Sequence, residues 1–321
     1  MRRGWKIAIA ILVILAVLIA VNTVIVDQET RGASVTIDGG RILKVPGGGE
    51  LQITDTGPTR NRARGAPIVL LHCFGCSLHW WDRMVPLLER NHRVVRIDLL
   101  GFGGSEKPAE GYSMENQGRL VALALGRLDV QGAVVVGHSM GFDVATALAR
   151  ESSALVDRLV DIDEQPEPGY GGLPFLAKLG FVPVLGETIW RVTPDFAIRD
   201  GYDNAFAPGY DLGDFGDQVV DDFRTMTYTS YDDSPSAADD YENERPLDQR
   251  VQEAAIPLLV IFGSEDQLYD DPSEAANAYE NVQGARIEMI RGAGHSPNVE
   301  KPAQTARLIL DFAAGVEDVR R

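Results

Sequence analysis

The pattern of apolar and polar positions divides the chain into an N-terminal apolar segment and a long alternating region. Residues 7–26 form an apolar run in which only Asn22 and Thr23 are polar. At the helical rise of about 1.5 Å per residue, a run of this length spans about 30 Å, the thickness of the hydrocarbon core of a bilayer. The run therefore predicts one N-terminal transmembrane helix.

The charges that flank this run predict its orientation. The basic residues Arg2, Arg3 and Lys6 precede it, and the acidic residues Asp27 and Glu29 follow it. Positive residues tend to remain on the cytoplasmic side, so we expect a single-pass protein with a cytoplasmic N-terminus and the bulk of the chain outside the cytoplasm. The alternative is a cleaved signal peptide, whose apolar core is usually shorter, about 7–15 residues.

Short apolar strands alternate with helical stretches from residue 34 onward. Continuous apolar runs are typical of parallel strands that are covered on both faces. Their alternation with helices predicts an α/β fold with a doubly wound, mostly parallel sheet and right-handed crossovers. The predicted strands are residues 35–37, 42–45, 51–53, 67–71, 93–97, 133–136, 158–162, 257–262 and 286–290, and the predicted helices are residues 114–128, 140–149 and 299–312.

The interval from residue 164 to residue 252 interrupts this alternation. It is rich in Pro, Gly, Asp and aromatic residues, and it is too long for a simple connection between a strand and a helix, so it predicts an inserted cap. The expected organisation is a cytoplasmic N-terminus (1–6), a transmembrane anchor (7–26), a first core segment (34–163), the cap (164–252) and a second core segment (253–315).

The negative charge of the chain is concentrated in the predicted cap. The formal net charge is −17, and residues 195–248 carry fifteen acidic residues against four arginines when Arg250, just beyond, is included. An acidic surface argues against a nucleic-acid partner, because phosphate binding needs basic residues. The acidic cap either disfavours anionic substrates or is a solvated face that aids solubility.

The chain has two cysteines, Cys73 and Cys76, which are too few for a disulfide framework. Their C-x-x-C spacing also occurs in redox and metal sites. There is no second cysteine pair and no evident set of histidine partners, so we expect small residues in a loop, with no metal and no cofactor.

The segment Gly137-His-Ser-Met-Gly141 stands between a predicted strand and a predicted helix. A sharp turn there strains the backbone and lifts the Ser139 hydroxyl clear of the sheet, and the two glycines allow neighbouring chains to approach closely. The helix N-terminus adds partial positive charge where an oxyanion would develop. The alternative is an ordinary glycine-rich turn.

A serine is a weak nucleophile unless a base activates it, and the base needs a carboxylate to orient it. Asp266 follows the predicted strand 257–262, and His295 follows the predicted strand 286–290. Both therefore stand at the carboxyl ends of strands, where open parallel sheets place their sites. Asp163, after an earlier strand, is the rival candidate for the acid.

Five segments together resemble a known family: residues 70–75 (LLHCFG), 96–108 (RIDLLGFGGSEKP), 137–141 (GHSMG), 263–266 (GSED) and 292–302 (GAGHSPNVEKP). From about residue 35 to residue 312, the chain resembles the α/β-hydrolase superfamily in its esterase, lipase and haloperoxidase-like branch. The resemblance implies Ser139 as the nucleophile, Asp266 as the acid and His295 as the base, in the order Ser, acid, His.

The same resemblance implies an oxyanion hole built from two backbone N–H groups. One belongs to Met140, which follows the nucleophile. The other belongs to the loop after the predicted strand 67–71, and Phe74 is the expected donor. The family usually has His-Gly where this chain has His72-Cys73, so the backbone there must accommodate a Cβ atom.

The leading expectation is hydrolysis of a carboxylic ester or related acyl bond in a small, neutral molecule through an acyl-serine intermediate. The alternatives are C–C bond hydrolysis or acyl transfer by the same triad, and a catalytically silent scaffold that binds a ligand. In the resembled family, haloalkane dehalogenases and typical epoxide hydrolases have Asp at the nucleophile position, so Ser139 argues against both.

Overall fold

A computed structural model describes residues 2–58, 65–172 and 177–315. Its strands are β1 (Arg41–Lys44), β2 (Glu50–Thr56), β3 (Ile68–Leu71), β4 (Val94–Ile97), β5 (Ala133–His138), β6 (Val156–Ile162), β7 (Leu258–Gly263) and β8 (Arg286–Ile290). They form one sheet in the order β1-β2-β4-β3-β5-β6-β7-β8. The pairs β1–β2 and β2–β4 are antiparallel, and the other pairs are parallel.

The central strands are apolar on both faces because helices cover the sheet on both sides. Every residue of β3, β5 and β7 is buried. Successive side chains of a strand point to opposite faces, and accordingly Val69 and Val135 pack into one core while Leu70 and Val134 pack into the other. These two cores confirm the prediction of a mostly parallel α/β sheet.

The helices cover these faces and fill the interval between β6 and β7. They are α1 (Arg2–Asp27), α2 (Val85–Leu88), α3 (Met114–Arg127), α4 (Met140–Glu151), α5 (Leu185–Val192), α6 (Asp195–Tyr202), α7 (Phe215–Thr225), α8 (Tyr228–Glu244), α9 (Leu247–Ala254), α10 (Pro272–Asn277), α11 (Pro297–Glu300) and α12 (Pro302–Ala313). The predicted final helix is divided at Lys301, which has φ −129 and precedes Pro302 at the first position of α12.

The prediction of a strand at residues 35–37 is wrong. The backbone N–H of Ser34 donates to the carbonyl of Gly104 in a loop, and that of Thr36 donates to the side chain of Gln52. This segment therefore satisfies its backbone with a loop and a side chain instead of a neighbouring strand, and it lies beside the sheet without extending it.

Helices α5–α9 lie within or next to the predicted cap, of which residues 173–176 lie outside the described residues. The buried Trp80, in the loop after β3, contacts Tyr202, Phe206 and Phe215 of this segment at ring-centroid distances of 6.3, 5.7 and 5.2 Å. Aromatic packing thus joins the segment to the loop that leads into the candidate site. The division of the chain into domains stays a prediction.

Helix α1 is long and apolar enough to cross a membrane by length and composition. Its apolar side chains, such as Leu12 at 65% exposure, are largely uncovered. Among the described residues, its last turns contact the remainder of the chain: Arg191 donates to the Asn22 side chain at 3.0 Å, and Thr229 donates to the carbonyl of Asp27 at 3.2 Å. A signal sequence would satisfy the same criteria, so the transmembrane assignment stays a prediction.

Candidate active site

Ser139 occupies a sharp turn between β5 and α4. Its backbone has φ +50 and ψ −131, a left-handed conformation that costs a non-glycine residue about 1–3 kcal/mol. The turn is held by its neighbours: the N–H of Ser139 donates to the carbonyl of Ile162 at 2.8 Å, and the N–H of Phe142 donates to the carbonyl of Ser139 at 2.6 Å. Such a turn presents a side chain at the carboxyl end of the sheet.

The two glycines of the motif are required by close approaches of the backbone. A Cβ atom on Gly137 would lie 2.4 Å from the carbonyl oxygen of Gly141, and a Cβ atom on Gly141 would lie 2.4 Å from that of Leu71. Neither obstacle is a flexible side chain. The Gly-x-Ser-x-Gly spacing therefore reflects the packing of α4 against β3 and β5.

Asp266 and His295 meet beside this turn. Asp266 follows β7, His295 follows β8, and Nδ1 of His295 donates to Oδ2 of Asp266 at 2.7 Å. Both side chains are buried. His138, which immediately precedes Ser139, contacts the backbone carbonyl of His295 through Nε2 at 2.6 Å and so connects the histidine loop to the strand that carries the serine.

The electrostatic environment favours the protonated form of His295. Burial alone would lower its pKa, but the charge of Asp266 and the hydrogen bond to it outweigh burial, and the pKa of His295 is raised above the usual histidine value. A histidine with this environment accepts a proton more readily, which is the property that a general base needs.

Asp163, the rival acid, lies next to Asp266 but has a different hydrogen-bond partner. Its Oδ1 accepts a hydrogen bond from the N–H of Gly263 at 2.8 Å. Complete burial and the neighbouring charge of Asp266 raise the pKa of Asp163 well above its usual value. This environment favours the protonated form of Asp163, and Asp266, which bonds directly to His295, is the better candidate for the acid of the triad.

The loop after β3 and the N-terminus of α4 contain the predicted oxyanion donors. Met140 is the first residue of α4, where backbone N–H groups have no partner within the helix. Phe74 lies in a loop that His72 holds in place: Nδ1 of His72 bonds to the carbonyl of Cys73 at 2.8 Å, and its Nε2 accepts from Leu99 at 3.0 Å. Burial lowers the pKa of His72, so the ring is neutral and makes both contacts.

Cys73 and Cys76 form a disulfide bond, so the prediction that they are simply small loop residues is wrong. Their Cα atoms lie 5.3 Å apart because Gly75 adopts φ +69 and the N–H of Cys76 donates to the carbonyl of Cys73 at 3.3 Å. The bond closes a ring of four residues around Phe74. It therefore restricts the backbone at the position where the second oxyanion donor is expected.

Glu164 is a site residue that the sequence did not single out. It follows Asp163 at the carboxyl end of β6, is buried, and lies near the hydroxyl of Ser139, which acts to lower its pKa. Burial raises the pKa of Glu164 to about 7. Its position two residues beyond a strand end was the available signal, but the proximity to Ser139 depends on the loop conformation.

More buried carboxyls lie behind Glu164. Burial, reinforced by neighbouring acids, raises the pKa of Asp143 well above its usual value and that of Glu242 to about 10. Carboxylate oxygens of these two residues and of Glu164 lie within 4.8 Å of one another, as do ligand atoms of Asp163, Asp266 and His295. Carboxyls must lose their protons to bind a metal, and we assign neither group to one.

Comparison with known proteins identifies the family. The chain is 29% identical over 263 residues to 2-hydroxymuconate semialdehyde hydrolase of Pseudomonas sp. (strain CF600), covering 78% of this chain and 87% of that protein. It is 26% identical over 244 residues to a non-heme haloperoxidase of Rhodococcus erythropolis, covering 72% and 86%. Its fold is similar to that of an esterase from Exiguobacterium antarcticum, with a TM-score of 0.71, 18% identity and coverage of 86% and 99%.

The family profile described as the alpha/beta hydrolase family matches residues 68–308, which include every residue of the candidate site. The match also extends across the interval between β6 and β7. The chain therefore belongs to the α/β hydrolase family of enzymes.

Proposed function

We propose that this protein is a serine hydrolase that cleaves a carboxylic ester through an acyl-serine intermediate. The observation that carries the proposal is the 2.7 Å bond between His295 and Asp266 next to the strained turn of Ser139. These three groups supply a nucleophile, a base and an orienting charge. The esterase with a similar fold is consistent with this reaction.

In the acylation half of the reaction, His295 takes the proton of Ser139 while Oγ attacks the ester carbonyl carbon. The carbonyl oxygen becomes an oxyanion, which the N–H groups of Met140 and Phe74 stabilise. Asp266 keeps the histidine oriented and stabilises its positive form. The tetrahedral intermediate then expels the alkoxide, which leaves as the alcohol with the proton from His295, and the acyl group stays on the serine oxygen.

In the deacylation half, a water molecule replaces the alcohol. His295 accepts a proton from this water as its oxygen attacks the acyl carbon, and it then returns the proton to Oγ of Ser139 as the carboxylic acid departs. In both halves the serine oxygen, which lies near the carboxyl of Glu164, exchanges its proton with His295.

Hydrolysis of a C–C bond is the second candidate, and the similarity to 2-hydroxymuconate semialdehyde hydrolase favours it. In that reaction the leaving group is a stabilised carbanion, which must be protonated at carbon. A screen that offers simple esters and vinylogous 1,5-diketones separates the two reactions. Ester cleavage releases an alcohol, whereas diketone cleavage releases a dienol in which the carbon of the broken bond has gained a hydrogen.

The proposed location is a membrane, with the N-terminus in the cytoplasm and the catalytic part outside it. The apolar run 7–26 within α1 is preceded by Arg3 and followed by Asp27, which favours this orientation. The bond between Cys73 and Cys76 supports it independently, because structural disulfides persist in oxidising compartments and are rare in the cytosol.

Replacement of the nucleophile tests the reaction. Ser139→Ala in the full chain, purified in detergent micelles, should lower kcat for p-nitrophenyl butyrate by about 10³-fold or more, because no acyl-enzyme can form. Its circular dichroism should be unchanged. Ser236→Ala, at an exposed position of α8, is the matched control and should keep full activity. Equal rates in both variants would contradict the assignment.

The acid is tested through the pH dependence of kcat/KM. Activity should rise with pH as His295 loses its proton, with an apparent pKa above the ordinary histidine value of about 6.5. Asp266→Asn removes the charge that raises the pKa of His295, so the rise should move to lower pH while kcat falls by about 10⁴-fold.

Asp163→Asn is the control for this experiment. The environment of Asp163 favours its neutral form, and an asparagine oxygen can still accept from the N–H of Gly263, so we expect less than about a tenfold loss of kcat and an unchanged pH profile. A larger loss of kcat in Asp163→Asn than in Asp266→Asn would reverse the assignment of the acid.

The disulfide is tested by the double variant Cys73→Ser/Cys76→Ser. Freed from its four-residue ring, the N–H of Phe74 should be less well aimed, and kcat should fall about tenfold with little change in KM. Dithiothreitol should slow the native enzyme to a similar rate and leave the double variant unaffected. An unchanged kcat in the double variant would show that the disulfide does not support the oxyanion hole.

The anchor is tested by fractionation of cells that produce the full chain. The protein should remain with membranes after alkaline carbonate washing, because an uncleaved α1 is held by its apolar surface, and it should be released by detergent. A variant without residues 1–27 should be soluble. A soluble product of the full chain whose N-terminus has been cleaved near residue 21 would instead identify a signal peptide.

A further inference from the structure

Exposed apolar side chains are concentrated on one part of the cap segment. Outside α1, the described residues carry seven large apolar side chains that are exposed, and five of them fall between residues 182 and 196. Scattered exposed apolar residues are ordinary, whereas a cluster marks an interaction surface. We call this cluster the cap apolar surface, and it consists of Val182, Val184, Leu185, Val192 and Phe196.

The cap apolar surface adjoins the end of helix α1. Helix α5 ends at Val192, and its Arg191 donates to the side chain of Asn22 at 3.0 Å. Asn22 lies five residues before Asp27, the last residue of α1, which corresponds to about 7.5 Å along the helix axis. If residues 7–26 fill the hydrocarbon core, Asn22 lies about 6 Å inside its outer boundary, so its contact with Arg191 brings the end of α5 to the boundary between the hydrocarbon and the headgroups.

A cavity of about 340 Å³ separates the end of α1 from the cap segment. Its lining is mixed: apolar residues such as Val26, Trp190 and Phe223 lie beside three arginines and one acid, Arg31, Arg191, Arg224 and Glu29. A lining with apolar residues and an excess of cationic ones suits an amphiphile, which has an acyl chain and a polar head. The cavity is lined in part by α1 itself and would therefore open at the membrane surface.

Aromatic rings connect this region to the oxyanion loop. Trp190 of α5 lies 4.8 Å from Tyr231 between ring centroids, and Phe181 stacks on the same ring at 4.7 Å. Tyr231 in turn lies 5.6 Å from Phe74. One layer of aromatic side chains thus extends from the cap apolar surface to the residue that is expected to stabilise the oxyanion.

We propose that the cap apolar surface inserts into the interface of the bilayer that α1 crosses, and that the substrate is an amphiphilic, long-chain ester taken from this bilayer. Helix α5 contacts the last turns of α1, so a bilayer that α1 crosses would lie next to the cap apolar surface. This proximity is why we name the bilayer as the partner. Helices with one apolar face lie in such interfaces. The substrate part of the proposal rests on the proposed esterase function, and the docking part does not.

The docking is tested with the full chain in phosphatidylcholine nanodiscs. A polarity-sensitive dye on Val192→Cys, attached without reductant so that the native disulfide stays closed, should be quenched strongly by nitroxide-labelled lipids. The same dye on Met289→Cys, an exposed apolar position of β8, is the control and should be quenched little. Equal quenching at the two positions would overturn the docking.

The substrate class is tested with the double variant Val192→Asp/Phe196→Asp. Its KM for a long-chain ester presented in phosphatidylcholine vesicles should rise at least about tenfold, because charged side chains leave the interface. Its kcat/KM for soluble p-nitrophenyl acetate should equal that of the native chain. In the control Val35→Asp, the KM for the vesicle ester and the kcat/KM for p-nitrophenyl acetate should both equal the native values. An unchanged KM for the vesicle ester would overturn the substrate assignment.

These two experiments separate the inference from the proposed function. A native chain that hydrolyses neither ester would contradict the esterase function, while lipid quenching at Val192→Cys still decides the docking. If the native chain hydrolyses both esters but the dye on Val192→Cys is quenched no more than the dye on Met289→Cys, the esterase function is supported and the docking is contradicted.

Discussion

The left-handed backbone of Ser139 is the constraint on which the candidate site depends. A serine at φ +50 is unfavourable by itself, and it persists because β5 and α4 are packed into the core on both sides of the turn. Gly137 and Gly141 make this packing possible, since a side chain at either position would meet backbone oxygens at 2.4 Å. The same turn directs the start of α4, and with it the N–H of Met140, toward the site.

The candidate site also depends on how burial distributes protons among its carboxyls. Burial raises the pKa of Glu242 to about 10, so this side chain is neutral near pH 7, and burial also favours the protonated form of Asp163. Asp266 differs because it bonds to His295, whose positive form it stabilises. Carboxyls a few ångströms apart can thus have different roles, set by their surroundings.

The sequence predicted those parts of the fold and site that depend on local patterns. Continuous apolar runs identified the central strands, and strand ends identified Asp266 and His295. It did not predict the Cys73–Cys76 bond, which requires the turn at Gly75, or the contact between Glu164 and Ser139, which requires a loop conformation. The acidic composition of the cap likewise did not indicate that one part of it is apolar and lies against α1.

The central claim is that Ser139 forms a covalent acyl-enzyme, and covalent trapping tests it most directly. The full chain should be treated with a fluorophosphonate, digested and mapped by tandem mass spectrometry. The account predicts one stoichiometric phosphonyl adduct, on Oγ of Ser139, with complete loss of ester hydrolysis. An enzyme that hydrolyses esters but carries its adduct on another residue, or carries none after complete inactivation, would contradict the account.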